Sequence, residues 1–116
     1  METVKLIRSS ILKRWLESGK KVSILDIRPA SQQSESLISG NIHIDVYDKL
    51  KQNNSSAFDN LHLDKSVPVV TFCGGGKASM IAAEMLSLKG YDAFSLEGGL
   101  NEWNKFNAFE TKSAAL

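Results

Sequence analysis

The chain has 116 residues, 42% hydrophobic and 23% charged, a composition that suits one globular domain with a single modest core and leaves little for a second. Fourteen Lys and Arg against thirteen Asp and Glu give a formal net charge of +1, so no long-range field directs the protein to nucleic acid or to an anionic membrane, and any anion must be held locally. No apolar stretch approaches a membrane span, and the start of the chain lacks a basic segment followed by an apolar run, so a cytoplasmic location without a membrane partner is expected.

In chain order, residues 4–7 predict a short strand, after which Ser9 or Ser10 is expected to cap a helix. Its apolar face carries Ile11, Leu12, Trp15 and Leu16, and Gly19 ends it. Residues 22–25 read as a strand closed by Asp26, Ile27, Arg28 and Pro29, and the polar residues 31–36 as a short helix before Gly40. A strand at 42–44 and a helical turn or two over 46–51 follow. The polar, aperiodic stretch 52–56 reads as surface loop. Next come a buried strand at 67–72, a helix, a strand at 93–96, and a last helix containing Leu100 and Trp103 after Glu97, Gly98 and Gly99. Short strands alternating with helices imply an α/β fold, a parallel sheet covered on both faces. The domain is expected to span residues 1–116, with its core at about 4–105, a C-terminal tail from 106, and a frayed end at 112–116.

Cys73, the only cysteine, stands where the buried strand gives way to Gly74, Gly75, Gly76, Lys77, Ala78 and Ser79. From Ala78 the apolar residues Ile81, Ala82, Met85 and Leu86 fall at helical spacing, and Gly90 stops the helix. Cys73 is therefore predicted between a strand end and a helix N-terminus, where unpaired N–H groups, the helix dipole and Lys77 favour a thiolate. Three glycines clear the rim of the loop, giving room for a substrate atom bonded to sulfur. Two phosphate-binding patterns fail: a Walker loop needs Gly at Thr71 and Ser or Thr at Ala78, and a dinucleotide fingerprint needs Gly at Ser79. A lone cysteine makes no internal disulfide, and with His43 and His62 it has no metal-ligand spacing, so neither a metal nor a cofactor is expected. The thiol is expected reduced.

Four segments, in this order and spacing, resemble the single-domain rhodaneses between about residues 4 and 103. They are Leu25-Asp26-Ile27-Arg28; Ile38-Ser39-Gly40-Asn41-Ile42-His43-Ile44; the Cys73 loop with its helix; and Leu96-Glu97-Gly98-Gly99-Leu100-Asn101-Glu102-Trp103. The resemblance implies a rhodanese-like fold, with a five-stranded parallel sheet and helices on both faces. It also implies a sulfurtransferase in which Cys73 takes sulfane sulfur from thiosulfate or a low-molecular-weight persulfide, becomes a persulfide, and passes the sulfur to a thiol or cyanide. The loop from Cys73 to Ala78 matches the family's short version; the longer loop of related phosphatases would carry Arg at Ser79. Many family members carry Arg where Ala78 stands, gripping the sulfonate of thiosulfate, and Lys77 does not replace that planar fork. Residues 40–48 and 73–79 further resemble rhodanese domains fused to metallo-β-lactamase-fold enzymes. This implies a partner of that fold beside the small-molecule donor and thiol acceptor.

Within this reading Gly74, Gly75, Gly76, Lys77, Ala78 and Ser79 form the persulfide-binding loop. Ser79 either donates its hydroxyl to the persulfide or satisfies a backbone group. Asp26 and Arg28 are expected to support the site by pairing rather than to touch substrate. His43 is expected to be structural or at the surface, His62 has no assigned role, and Trp103, Phe106 and Phe109 are expected in helix packing. Two alternatives stay open: a non-catalytic binding or regulatory module on this fold, and a redox-sensing thiol protein.

Overall fold

Strands that send apolar side chains to both faces and helices with one apolar face can hide their apolar atoms only by layering, and that is the arrangement adopted. The computed structural model describes residues 4–32, 38 and 40–115. Its strands are β1 (Leu6–Ile7), β2 (Ser23–Asp26), β3 (Ile42–His43), β4 (Val69–Phe72) and β5 (Ala93–Leu96). All neighbours pair in parallel, in the order β1-β5-β4-β2-β3, so the five-stranded parallel sheet implied by the resemblance is present. The helices are α1 (Ser9–Glu17), α2 (Tyr47–Lys51), α3 (Lys77–Leu88) and α4 (Gly99–Ala115). Short 3₁₀ turns lie at Ala30–Gln32 and Ser55–Phe58.

The period-2 alternation of the strands sorts the core into two layers. Leu25, Val69, Cys73 and Ala93 pack with Leu50 of α2, Phe58, and Ala82 and Leu86 of α3. Ile24, Val70, Phe72 and Leu96 pack on the other face with Leu12 of α1 and Leu100 and Trp103 of α4. Central β4 is buried at all four positions, as a strand covered on both faces requires. Each fully buried Leu or Ile contributes about 1.5–3 kcal/mol.

Several expectations are corrected. Neither Ser9 nor Ser10 caps α1: Arg8 holds the cap position with extended backbone, and its carbonyl accepts from the Ile11 and Leu12 N–H groups. Ser9 is the first helical residue because β1 runs into α1 with only Arg8 between them. The stretch at 52–56 is exposed through Ser55, but its end belongs to the Ser55–Phe58 turn, capped by Asn54, which drives Ala57 and Phe58 into the core. Of the short helix expected at 31–36, Ser31 and Gln32 lie in the first 3₁₀ turn and residues 33–36 lie outside the described residues, as does Ser39. In place of the fraying expected from 112, α4 continues through Ala115. Among the described residues no helix is long and apolar enough to cross a membrane.

Candidate active site

The carboxyl end of β4 hands the chain directly to Cys73, and ligands of open parallel sheets bind at such ends. Cys73 is 5% exposed. Gly76 turns the chain into α3 from the left-handed region, φ +100°, which glycine adopts without strain. That turn aims the Gly76 N–H at the cysteine sulfur, 3.1 Å from Sγ. Among the described residues no acceptor is bonded to the N–H of Gly74 or Gly75, so both donors of the loop remain unspent. A Cβ at Gly74 or Gly75 would meet open space, so these two glycines keep the rim bare rather than relieve a backbone clash.

The loop is held from behind by α4. Leu100 N–H donates to the Cys73 carbonyl at 2.8 Å and Asn101 N–H to the Gly74 carbonyl at 3.0 Å, so the first turn of α4 spends its orphan donors on the loop. Gly99, at φ +60°, permits the approach: a Cβ there would lie 2.4 Å from the Cys73 carbonyl oxygen. The Glu97-Gly98-Gly99 segment thus acts as a clamp on the cysteine loop, a role the sequence reading did not assign.

A cavity of about 240 Å³ opens over the sulfur. Cys73, Gly74, Gly75, Lys77 and Ala78 form one wall, Arg28, Pro29 and Gln32 a second, and Tyr47 of α2 a third. Arg28 is buried and grips buried Asp26 by two parallel bonds, Nε to Oδ1 at 2.9 Å and a terminal nitrogen to Oδ2 at 2.8 Å. The Arg28 N–H also donates to Asp26 Oδ1, and His43 Nε2 donates to the Arg28 carbonyl at 3.0 Å. A buried bidentate pair with its remaining groups bonded fixes geometry, because removing one partner strands a charge at a cost of about 3–5 kcal/mol. Asp26, Arg28 and His43 therefore shape the loop after β2, and among the described residues exposed Lys77 is the cavity-lining cation outside that pair.

Ser79, fully buried in the first turn of α3, lies beneath the sulfur with its Oγ 3.6 Å from Cys73 Sγ. It donates to the Gly76 carbonyl at 3.1 Å and shares a 2.7 Å bond with Ser95 Oγ of β5. Thr71 of β4 donates to the Ser79 carbonyl at 2.8 Å. The site residues read from the sequence thus converge around Cys73, while His62 is exposed and Trp103 is core. Phe106 lines a separate cavity with Arg8 and Lys105, and the Phe109 side chain lies outside the described residues. The sequence reading missed Tyr47, Thr71 and Ser95. A signal for the last two was present: a lone small hydroxyl inside an otherwise apolar strand must find a partner when buried.

The rhodanese-like domain model matches residues 9–106. The thiosulfate sulfurtransferase GlpE of Shewanella oneidensis is 33% identical over 94 residues, covering 80% of this chain and 86% of that protein. A tRNA sulfurtransferase of Desulfurococcus amylolyticus is 36% identical over 77 residues, 66% of this chain, but the chain spans only 14% of that protein's length. The crystal structure of a rhodanese homologue from Thermus thermophilus is 31% identical and superposes with a TM-score of 0.64 over 84% of this chain and 99% of that one. Fold and family match agree, and the chain belongs to the rhodanese-like domain family.

Proposed function

We propose that this protein is a sulfurtransferase that carries sulfane sulfur as a persulfide on Cys73. The observation that carries the reading is the Gly76 N–H aimed at Sγ of Cys73, which lines the 240 Å³ cavity together with Gly74 and Gly75. In the first half-reaction the Cys73 thiolate attacks the outer sulfur of a donor persulfide. The Cys73 S–S bond forms, the donor S–S bond breaks, and the donor thiolate leaves with the electron pair. In the second, an acceptor thiolate or cyanide attacks the outer sulfur and Cys73 departs as thiolate, so no external oxidant or reductant is needed. The loop N–H groups and the α3 N-terminus hold the negative charge in both halves.

The cavity lies below the usual range for small-ligand pockets, about 300–1,000 Å³, which supports entry of the donor's sulfur end alone. Ala78 gives no fork for a sulfonate, so a low-molecular-weight persulfide is the donor we favour over thiosulfate. A metallo-β-lactamase-fold partner rests only on the motifs at 40–48 and 73–79.

Steady-state transfer to cyanide tests the reading. Parallel double-reciprocal lines, higher kcat/KM with glutathione persulfide than with thiosulfate, and no turnover by Cys73→Ser are expected. Turnover by Cys73→Ser would overturn it, and a wild-type protein inert to every donor would return the case to a binding module or a redox-sensing thiol.

A further inference from the structure

We propose that Ser95 is a positioning residue that holds the Ser79 hydroxyl as a donor to the Cys73 thiolate. The inference rests on the reading of Cys73 as the reacting group and adds a residue outside its loop. Ser95 stands opposite Thr71 in the parallel register of β5 and β4, beneath the first turn of α3. Both Ser79 and Ser95 are 0% exposed, and their Oγ atoms are 2.7 Å apart.

Each hydroxyl has one hydrogen, and burial fixes where it goes. Among the described residues Ser79 Oγ is the one side-chain partner of Ser95 Oγ. If Ser79 donated to Ser95, the Ser95 hydrogen would be buried without an acceptor, at a cost of about 1–3 kcal/mol. Ser95 therefore donates, and the Ser79 hydrogen is left for either the Gly76 carbonyl at 3.1 Å or Sγ at 3.6 Å. While Cys73 is a thiol, its S–H points to Ser79 Oγ and the Ser79 hydrogen goes to the carbonyl. Once the sulfur is an anion, Ser79 turns its hydrogen to Sγ and loses the S–H donor. Ser95 then supplies the hydrogen bond that keeps Ser79 Oγ satisfied and polarises its O–H toward the sulfur. Thr71 anchors the Ser79 backbone during this exchange.

The test is the pH profile of Cys73 alkylation by iodoacetamide, in Ser95→Ala, Ser79→Ala and the double variant. Ser95→Ala is expected to slow alkylation at pH 7 by roughly three- to tenfold, to move the profile to higher pH, and to leave the high-pH plateau unchanged. Adding Ser95→Ala to Ser79→Ala is expected to change nothing further, because the effect passes through the Ser79 oxygen. Among the described residues, Lys77 of α3, Arg28 with Asp26 after β2, Tyr47 of α2, and Glu97 on the far side of the loop are the charged and titratable groups lining the site, and every variant keeps them. A Ser95→Ala profile that overlays the wild type, or an equal effect in the Ser79→Ala background, overturns the proposal. If Ser95→Ala does not fold, the equal-volume pair Ser95→Thr and Ser95→Val decides: Thr keeps the wild-type profile and Val shifts it, and coincident profiles overturn the proposal. Alkylation needs no sulfur donor, so failure of sulfur transfer and failure of this positioning role are read separately.

Discussion

At the cavity wall the Ala78 side chain ends at Cβ, and the neighbouring Lys77 contributes a compact ammonium rather than a planar fork. A sulfonate has three oxygens to satisfy, and one point charge orients it poorly. Ala78 lines the cavity, so a longer side chain there has space over the sulfur to occupy. Ala78→Arg is therefore expected to raise kcat/KM for thiosulfate roughly tenfold, the effect of one charged hydrogen bond gained in the transition state. The same variant should leave kcat/KM for glutathione persulfide within a few-fold. Steady-state assays with both donors check this, and no gain with thiosulfate would refute the account of the missing fork. At this scale the sequence was informative about Cys73 and its loop, because local chemistry is written in adjacent residues. A lone hydroxyl at Ser95 signals that a partner is needed but does not name it, because a residue in a strand does not reveal what lies sixteen residues away on α3.

Among the elements, the first turn of α4 has the most direct hold on the site. Its donors to the Cys73 and Gly74 carbonyls keep the loop turned with Gly76 N–H toward the sulfur, and Gly99 is the position that lets backbone meet backbone. Gly99→Ala would force a Cβ into the Cys73 carbonyl and require φ +60° of an alanine. It is expected to cost about 1–3 kcal/mol of stability by urea unfolding and to slow persulfide loading at least tenfold. Gly75→Ala, facing open space without positive φ, should stay within about 0.5 kcal/mol of wild type. Equal costs for the two would show that the clamp does not set the loop. Helix α3 was legible because Ala78, Ile81, Ala82, Met85 and Leu86 keep its period, and β5 because a short, mostly apolar run lies between the turn glycines Gly90 and Gly98. The turn at Ser55–Phe58 was not: its polar residues outnumber Phe58, and one buried ring carries no period. The Ser9 cap failed for a different reason, since capping residue types say nothing about how closely the preceding strand approaches.

For the whole molecule, the strand order matters more than any single element. Placing β4 between β5 and β2 brings Asp26 level with Phe72, and so sets Arg28 across the cavity from Cys73 while Ser95 comes in from the other side. The strand–helix alternation made the α/β class legible and the four motifs implied a sheet of five parallel strands, but the order β1-β5-β4-β2-β3 was not legible because it follows from pairings between distant segments. The architecture converges on one sulfur atom, so the most direct test of the account is intact-mass analysis of the reduced protein after exposure to glutathione persulfide, with Cys73→Ser alongside and cyanide added afterwards. The account predicts a gain of one sulfur atom that requires Cys73 and is removed by cyanide as thiocyanate. A protein that gains no sulfur, or a Cys73→Ser variant that gains it equally, would contradict it.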